Sequence, residues 1–132
     1  MEDEIMVTLD TCSIIWLSLM PHQLSRRAKK AIESNTLIMS DISLWEIAML
    51  IKSGRVHINS TYEEYTTLVL NSFDFDIISI TQEIANLAVN FDGSINKDPA
   101  DRIIAATSIL KNAPLITGDK NLRKSKTITT IW

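Results

Sequence analysis

The sequence predicts an α/β domain, a sandwich built on a short and mostly parallel sheet. Three observations carry that prediction. Short apolar runs recur along the chain, segments with helical spacing separate them, and no repeat or low-complexity linker interrupts the alternation. A helix between two strands carries the chain back over the sheet, so such alternation produces parallel pairing. With 132 residues, 45% of them hydrophobic and 22% charged, the chain 1–132 has the size and composition of one domain with its own core.

The elements follow in order. IMVTL (5–9) is an apolar run suited to a buried strand, and CSIIWLSL after it reads as a helix stopped near Pro21. LSRRAKKAIE (24–33) places Leu24, Ala28, Ala31 and Ile32 on one helical face and its cations largely elsewhere. LIM (37–39) is a second strand, and SLWEIAMLIK (43–52) a helix that Ser53-Gly54 would end. TYEEYTTLVLNSF (61–73) is helical, DIISI (76–80) a third strand and TQEIANLAVNF (81–91) a further helix. A polar loop around GSINK leads to a helix from Pro99 to about Lys111, ended at Asn112. PLIT, a short helix in DKNLRKS and a last strand TITTI complete the chain.

Composition narrows the function classes. One cysteine, Cys12, excludes an internal disulfide framework and a cysteine-rich zinc site, and it suits a reducing compartment. The acidic start MEDEIMVTLD lacks the basic region of a secretory signal, and runs such as IIWL are far too short to span a membrane, so a cytoplasmic protein is expected. The net charge of −3 gives no support to a nucleic-acid partner taken alone. If four acids gather in one pocket, however, the remaining surface is mildly basic.

Four acids are the candidates for that pocket. In a parallel sheet the strand C-termini and the N-termini of the following helices share one edge, where ligands bind. Asp10 ends the first strand, Glu46 lies early in the helix after the second, Asp101 is in the first turn of its helix and Asp119 follows PLIT. Each has a structural reading too. Ser43 to Glu46 matches a capping box, Asp119 suits the N-cap of DKNL, and Asp98 suits the N-cap before Pro99. Asp10 alone has no obvious capping role in its strand. Together, four carboxylates repel or protonate unless neutralised, and an all-oxygen donor set suits Mg²⁺ or Mn²⁺ rather than zinc. Thr11 and Thr117 sit near these acids in sequence and can orient a ligand or a bound water.

These motifs resemble a known family. LDTCSIIWL (9–17), SLWEIAMLIKSGR (43–55), DPADRIIAA (98–106) and LITGDKNL (115–122) are similar, in order and spacing, to the four acidic motifs of PIN-domain proteins, above all the VapC toxins of bacterial type II toxin–antitoxin pairs. The resemblance implies a three-layer α/β/α sandwich and an endoribonuclease dependent on one or two Mg²⁺ or Mn²⁺ ions. It implies structured RNA (tRNA or rRNA) as substrate, a homodimer, and inhibition by a cognate VapB-like antitoxin. It assigns Asp10, Glu46, Asp101 and Asp119 to the metal and catalysis, with Asp98 as a supporting or capping residue. Cys12 departs from the Asn or His common at its position.

Remaining features have plainer readings. Lys120, Arg123, Lys124 and Arg102, near the acidic edge, are candidate RNA contacts, whereas Arg26 to Lys30 reads as a solvated face. Trp16, Met20, Trp45 and Met49 are expected in the core, and Cys12 as a small buried hydrophobe. A haloacid-dehalogenase-type phosphatase would want D-x-D where Asp10-Thr11-Cys12 stands, and a receiver domain would want paired acids near the first strand. A PIN-like module that has lost its chemistry is the non-enzymatic alternative.

Overall fold

The computed structural model describes residues 5–132, so the acidic reading of Met1–Glu4 lies outside it. The element order is β1 (Met6–Leu9), α1 (Thr11–Leu19), a 3₁₀ turn (Pro21–Gln23), α2 (Arg26–Ser34), β2 (Thr36–Ser40), α3 (Ile42–Lys52), α4 (Tyr62–Ser72), β3 (Asp76–Ile78), α5 (Gln82–Val89), α6 (Pro99–Leu110), β4 (Leu115–Ile116), α7 (Lys120–Lys124) and β5 (Thr130–Ile131). Five strands pair in the order β3-β2-β1-β4-β5, every pair parallel. A receiver domain is ruled out by that order, because its doubly wound sheet runs 2-1-3-4-5.

Strand alternation divides the core into two layers of side chains. Val7 and Leu9 of β1, Leu37 and Met39 of β2, and Ile116 of β4 pack with α1, α2, α3 and α4. Leu115 turns the other way, onto Ile104, Ala105 and Leu122, and Ala106 packs against Ile84 and Ala88 of α5. Thr8, fully buried between Val7 and Leu9, donates to the Ala113 carbonyl at 3.0 Å. The three layers that the motif resemblance implies are therefore present.

Helix boundaries follow their caps. Ser25, Thr61 and Thr81 each accept the backbone N–H three residues on, starting α2, α4 and α5. Gly54, at φ 80°, and Asn112, at φ 50°, adopt the left-handed turns that end α3 and α6. The last strand is shorter than TITTI suggests, with Thr130 and Ile131 alone pairing to β4.

Two expectations fail. The Ser43–Glu46 capping box does not form, although the same pattern at Thr61–Glu64 does. Asp41 is already helical (φ −62°, ψ −20°), so α3 begins at Ile42 and Ser43 lies inside the helix. Trp45 and Met49 are not core: one α3 turn apart, they are 59% and 43% exposed. Ile47 is the fully buried apolar side chain of α3, and Trp45 and Met49 lie on the helix away from it. Met20 is likewise exposed, and Trp16 is half-buried against Trp132, their ring centroids 5.7 Å apart.

Candidate metal centre

The strand order reverses between β1 and β4, and the crevice beyond their C-terminal ends is where doubly wound sheets place ligands. Asp10 follows β1 directly, and Asp119 follows β4 after Thr117 and Gly118. Helices α3 and α6 bring Glu46 and Asp101 to the same edge. Asp10, Glu46 and Asp101 each experience the charge of at least one other acid. Asp119 acts on Asp10 and Asp101, while Asp10 and Asp101 both act on Glu46.

Three of the acids and Asp98 have backbone or hydroxyl anchors. Asp10 is the N-cap of α1, its Oδ1 accepting the Ser13 N–H at 2.9 Å. The helix expected from Cys12 begins one residue earlier, at Thr11, and this makes Asp10 its N-cap. Asp119 Oδ1 accepts the N–H groups of Asn121 (2.9 Å) and Leu122 (3.0 Å), capping α7 as anticipated. Asp98 caps α6 through the Asp101 N–H at 3.1 Å. Glu46 has no capping role; it accepts the Thr11 hydroxyl, and the Thr11 and Ser43 hydroxyls lie 2.9 Å apart. Thr117 is fully buried, and its Oγ1 accepts the Asp119 N–H at 3.1 Å.

The electrostatics record the crowding. Burial raises the Asp10 carboxyl above the usual carboxylate range, opposed by hydrogen bonds from Thr117 and Ser13, with the Asp119 charge adding to the rise. Burial pushes Asp101 up to about 6, opposed by Asn96 and reinforced by Asp98, Asp119 and Asp10. Glu46 is raised in the same way, chiefly by burial, against the Thr11 hydrogen bond. Cys12 corrects the expectation of a buried thiol: the residue is exposed at this edge. Partial desolvation and then the charges of Asp10, Glu46, Asp101 and Asp119 raise its thiol to about 11.

No signal in the sequence singles out Asn96 among the polar residues of its loop. Its Nδ2 donates to Asp101 Oδ2 at 3.1 Å and to Asp119 Oδ2 at 3.2 Å. Arg102, expected to contact RNA, is instead engaged with the protein. Its guanidinium donates to the backbone carbonyls of Asn96, Ala88, Phe91 and Asp92. Only the tertiary fold brings those carbonyls around it.

The donor chemistry fits a hard divalent cation: carboxylates and hydroxyls with no imidazole, and a positive charge would lower the raised carboxyls of Asp10, Glu46 and Asp101. Among the described residues, no three acidic, histidine or cysteine side chains are yet drawn around one point. The Asn96 amide lies between Asp101 and Asp119 and donates to both.

An all-parallel sheet with carboxylates brought to the edge at its switch point defines a class of α/β domain suited to hard-cation chemistry. The PIN-domain family model matches residues 7–126. Ribonuclease VapC22 of Mycobacterium tuberculosis is 32% identical over 129 residues, covering 96% of this chain and 98% of that protein. Among solved structures, a toxin–antitoxin complex from Klebsiella pneumoniae is 28% identical with a TM-score of 0.64, over 94% of this chain and 96% of the other. VapBC2 from Rickettsia felis, bound to a DNA fragment from its promoter, shares the fold at a TM-score of 0.66 and 16% identity, over 96% and 97% of the two chains. The chain belongs to the PIN-domain family and is of its VapC type.

Proposed function

We propose that the chain, as one PIN domain, is a divalent-metal-dependent endoribonuclease toxin that cleaves structured RNA such as tRNA or rRNA. The observation that carries this reading is that the charges of Asp10, Glu46, Asp101 and Asp119 all reach Cys12 at the edge where the strand order reverses. The ribonuclease relative and the toxin–antitoxin structures support it. When bound, one or two Mg²⁺ or Mn²⁺ ions supply Lewis-acid stabilisation of an attacked phosphodiester and lower the pKa of a water. Asp10, Asp101 and Asp119 are the ligands in this reading, with Glu46 completing the set. Thr11 orients Glu46 through its hydroxyl, and Thr117 ties the Asp119 backbone to the crevice.

Lys120, Arg123 and Lys124, in the helix that Asp119 caps, line a groove of about 440 Å³ with Arg27, Thr130 and Trp132. Cations there neutralise the phosphates that the acidic site would repel. A cognate VapB-like antitoxin and a second copy of the chain are the proposed protein partners, in the cytoplasm. The exposed Trp45 and Met49, with Leu19 and Met20, offer apolar surface for them. No helix among the described residues is long and apolar enough to cross a membrane.

The test is cleavage of total cellular RNA by purified protein with Mg²⁺, Mn²⁺ or EDTA, beside folded Asp101→Asn. Discrete fragments that need the metal and vanish in the variant are expected. Absent cleavage, or equal cleavage by the variant, overturns the reading.

A further inference from the structure

We infer that Arg102 and Asn96 form a positioning unit that braces Asp101 against Asp119, with the guanidinium acting through the loop that carries Asn96. Residues 90–98 join α5 to α6 without regular secondary structure. A loop of this kind has few internal restraints, and Gly93 within it adds freedom. Arg102 supplies the restraint. Its Nε donates to the Asn96 carbonyl at 2.8 Å, Nη1 to Ala88 and Phe91 at 3.3 and 3.2 Å, and Nη2 to Asp92 at 3.4 Å. All three of its nitrogens are thereby used on backbone, in the planar spread that only a guanidinium offers. Ile95, 1% exposed, pins the same loop from the core side.

The consequence is read at the acids. With its backbone held, Asn96 directs one amide nitrogen to Oδ2 of both Asp101 and Asp119. Asp119 is then fixed at both oxygens, Oδ1 by α7 and Oδ2 by Asn96. Arg102 follows Asp101 in α6, so one turn of helix presents an acid and anchors the loop that braces it. Neither residue touches the reacting atoms in this account. Groups that orient metal ligands from behind typically govern affinity by 10–100-fold.

This inference rests on the metal-site reading, and its test separates the two. Calorimetry of Mn²⁺ binding to chelator-stripped protein, without RNA, would compare wild type with Asn96→Ala, Arg102→Met, Arg102→Lys and the Asn96→Ala/Arg102→Met pair, each checked for folding by circular dichroism. Asn96→Ala and Arg102→Met should each weaken binding by about 10–100-fold. The pair should be no weaker than Asn96→Ala alone, because Arg102 works through Asn96. Arg102→Lys should not rescue, since one ammonium cannot span four carbonyls; it also serves should Arg102→Met not fold. Amide exchange over residues 92–98 should quicken in the Arg102 variants and not in Asn96→Ala. Wild-type affinity in Asn96→Ala, or fully additive losses in the pair, would overturn the inference alone. A wild type that binds no Mn²⁺ overturns the inference and the metal-site reading together.

Discussion

Asp98 accepts the backbone N–H of Asp101 at 3.1 Å, so one acid starts the helix whose first turn carries the other. Their roles are separable by substitution. Asp98→Ala removes an N-cap and should cost about 0.5–2 kcal/mol of stability. Asp101→Asn keeps the helix and relieves repulsion, so it should abolish RNA cleavage while the Tm stays level or rises. Thermal melts beside cleavage assays check both. An inactive, strongly destabilised Asp101→Asn would contradict the assignment.

The acidic cluster should make the metal-free protein sensitive to pH in a definite direction. Asp101 titrates near 6 in the folded state against 3.8 when unperturbed, so the folded chain binds more protons between those values. The stabilisation is full below about 3.8 and is lost as the pH rises through 6. The Tm of chelated wild type should therefore fall relative to that of Asp101→Asn across this interval, and excess Mn²⁺ should restore it. Parallel melting curves from pH 4 to 7 would contradict this.

Thr11 links α1 to α3 through Ser43 and Glu46. Thr11→Val keeps the shape and removes the hydroxyl, leaving Ser43 without that partner and Glu46 free to rotate. The expected loss is about 1–3 kcal/mol in stability and roughly 10–100-fold in metal affinity. Denaturant melts and calorimetry measure the two separately.

Cys12 should be exposed yet unreactive. The thiolate is the nucleophile, and with a thiol pKa of about 11 little of it exists at neutral pH. Alkylation by iodoacetamide at pH 8 should be slow in metal-free protein, and faster in Asp101→Asn or with Mn²⁺ present. Rapid alkylation of metal-free wild type would show that the acids do not surround the thiol.

By itself the sequence determined the alternation of strands and helices, the parallel sheet and the edge on which the four acids fall. Those properties follow from local periodicity and from the right-handed return of each helix over the sheet. Even the Asp98 and Asp119 caps were legible, because capping depends on residues within one turn. Tertiary structure decided the rest. Ser43 to Glu46 and Thr61 to Glu64 have the same local pattern, yet only the second forms a capping box. In the first, Asp41 starts the helix early and Thr11, distant in sequence, takes the Glu46 side chain. Arg102 and Asn96 acquire their partners in the same way, from carbonyls and carboxylates that come together only when the loop closes over α6. Hydrogen bonds between residues remote in sequence depend on the packing of whole elements, which no local pattern encodes.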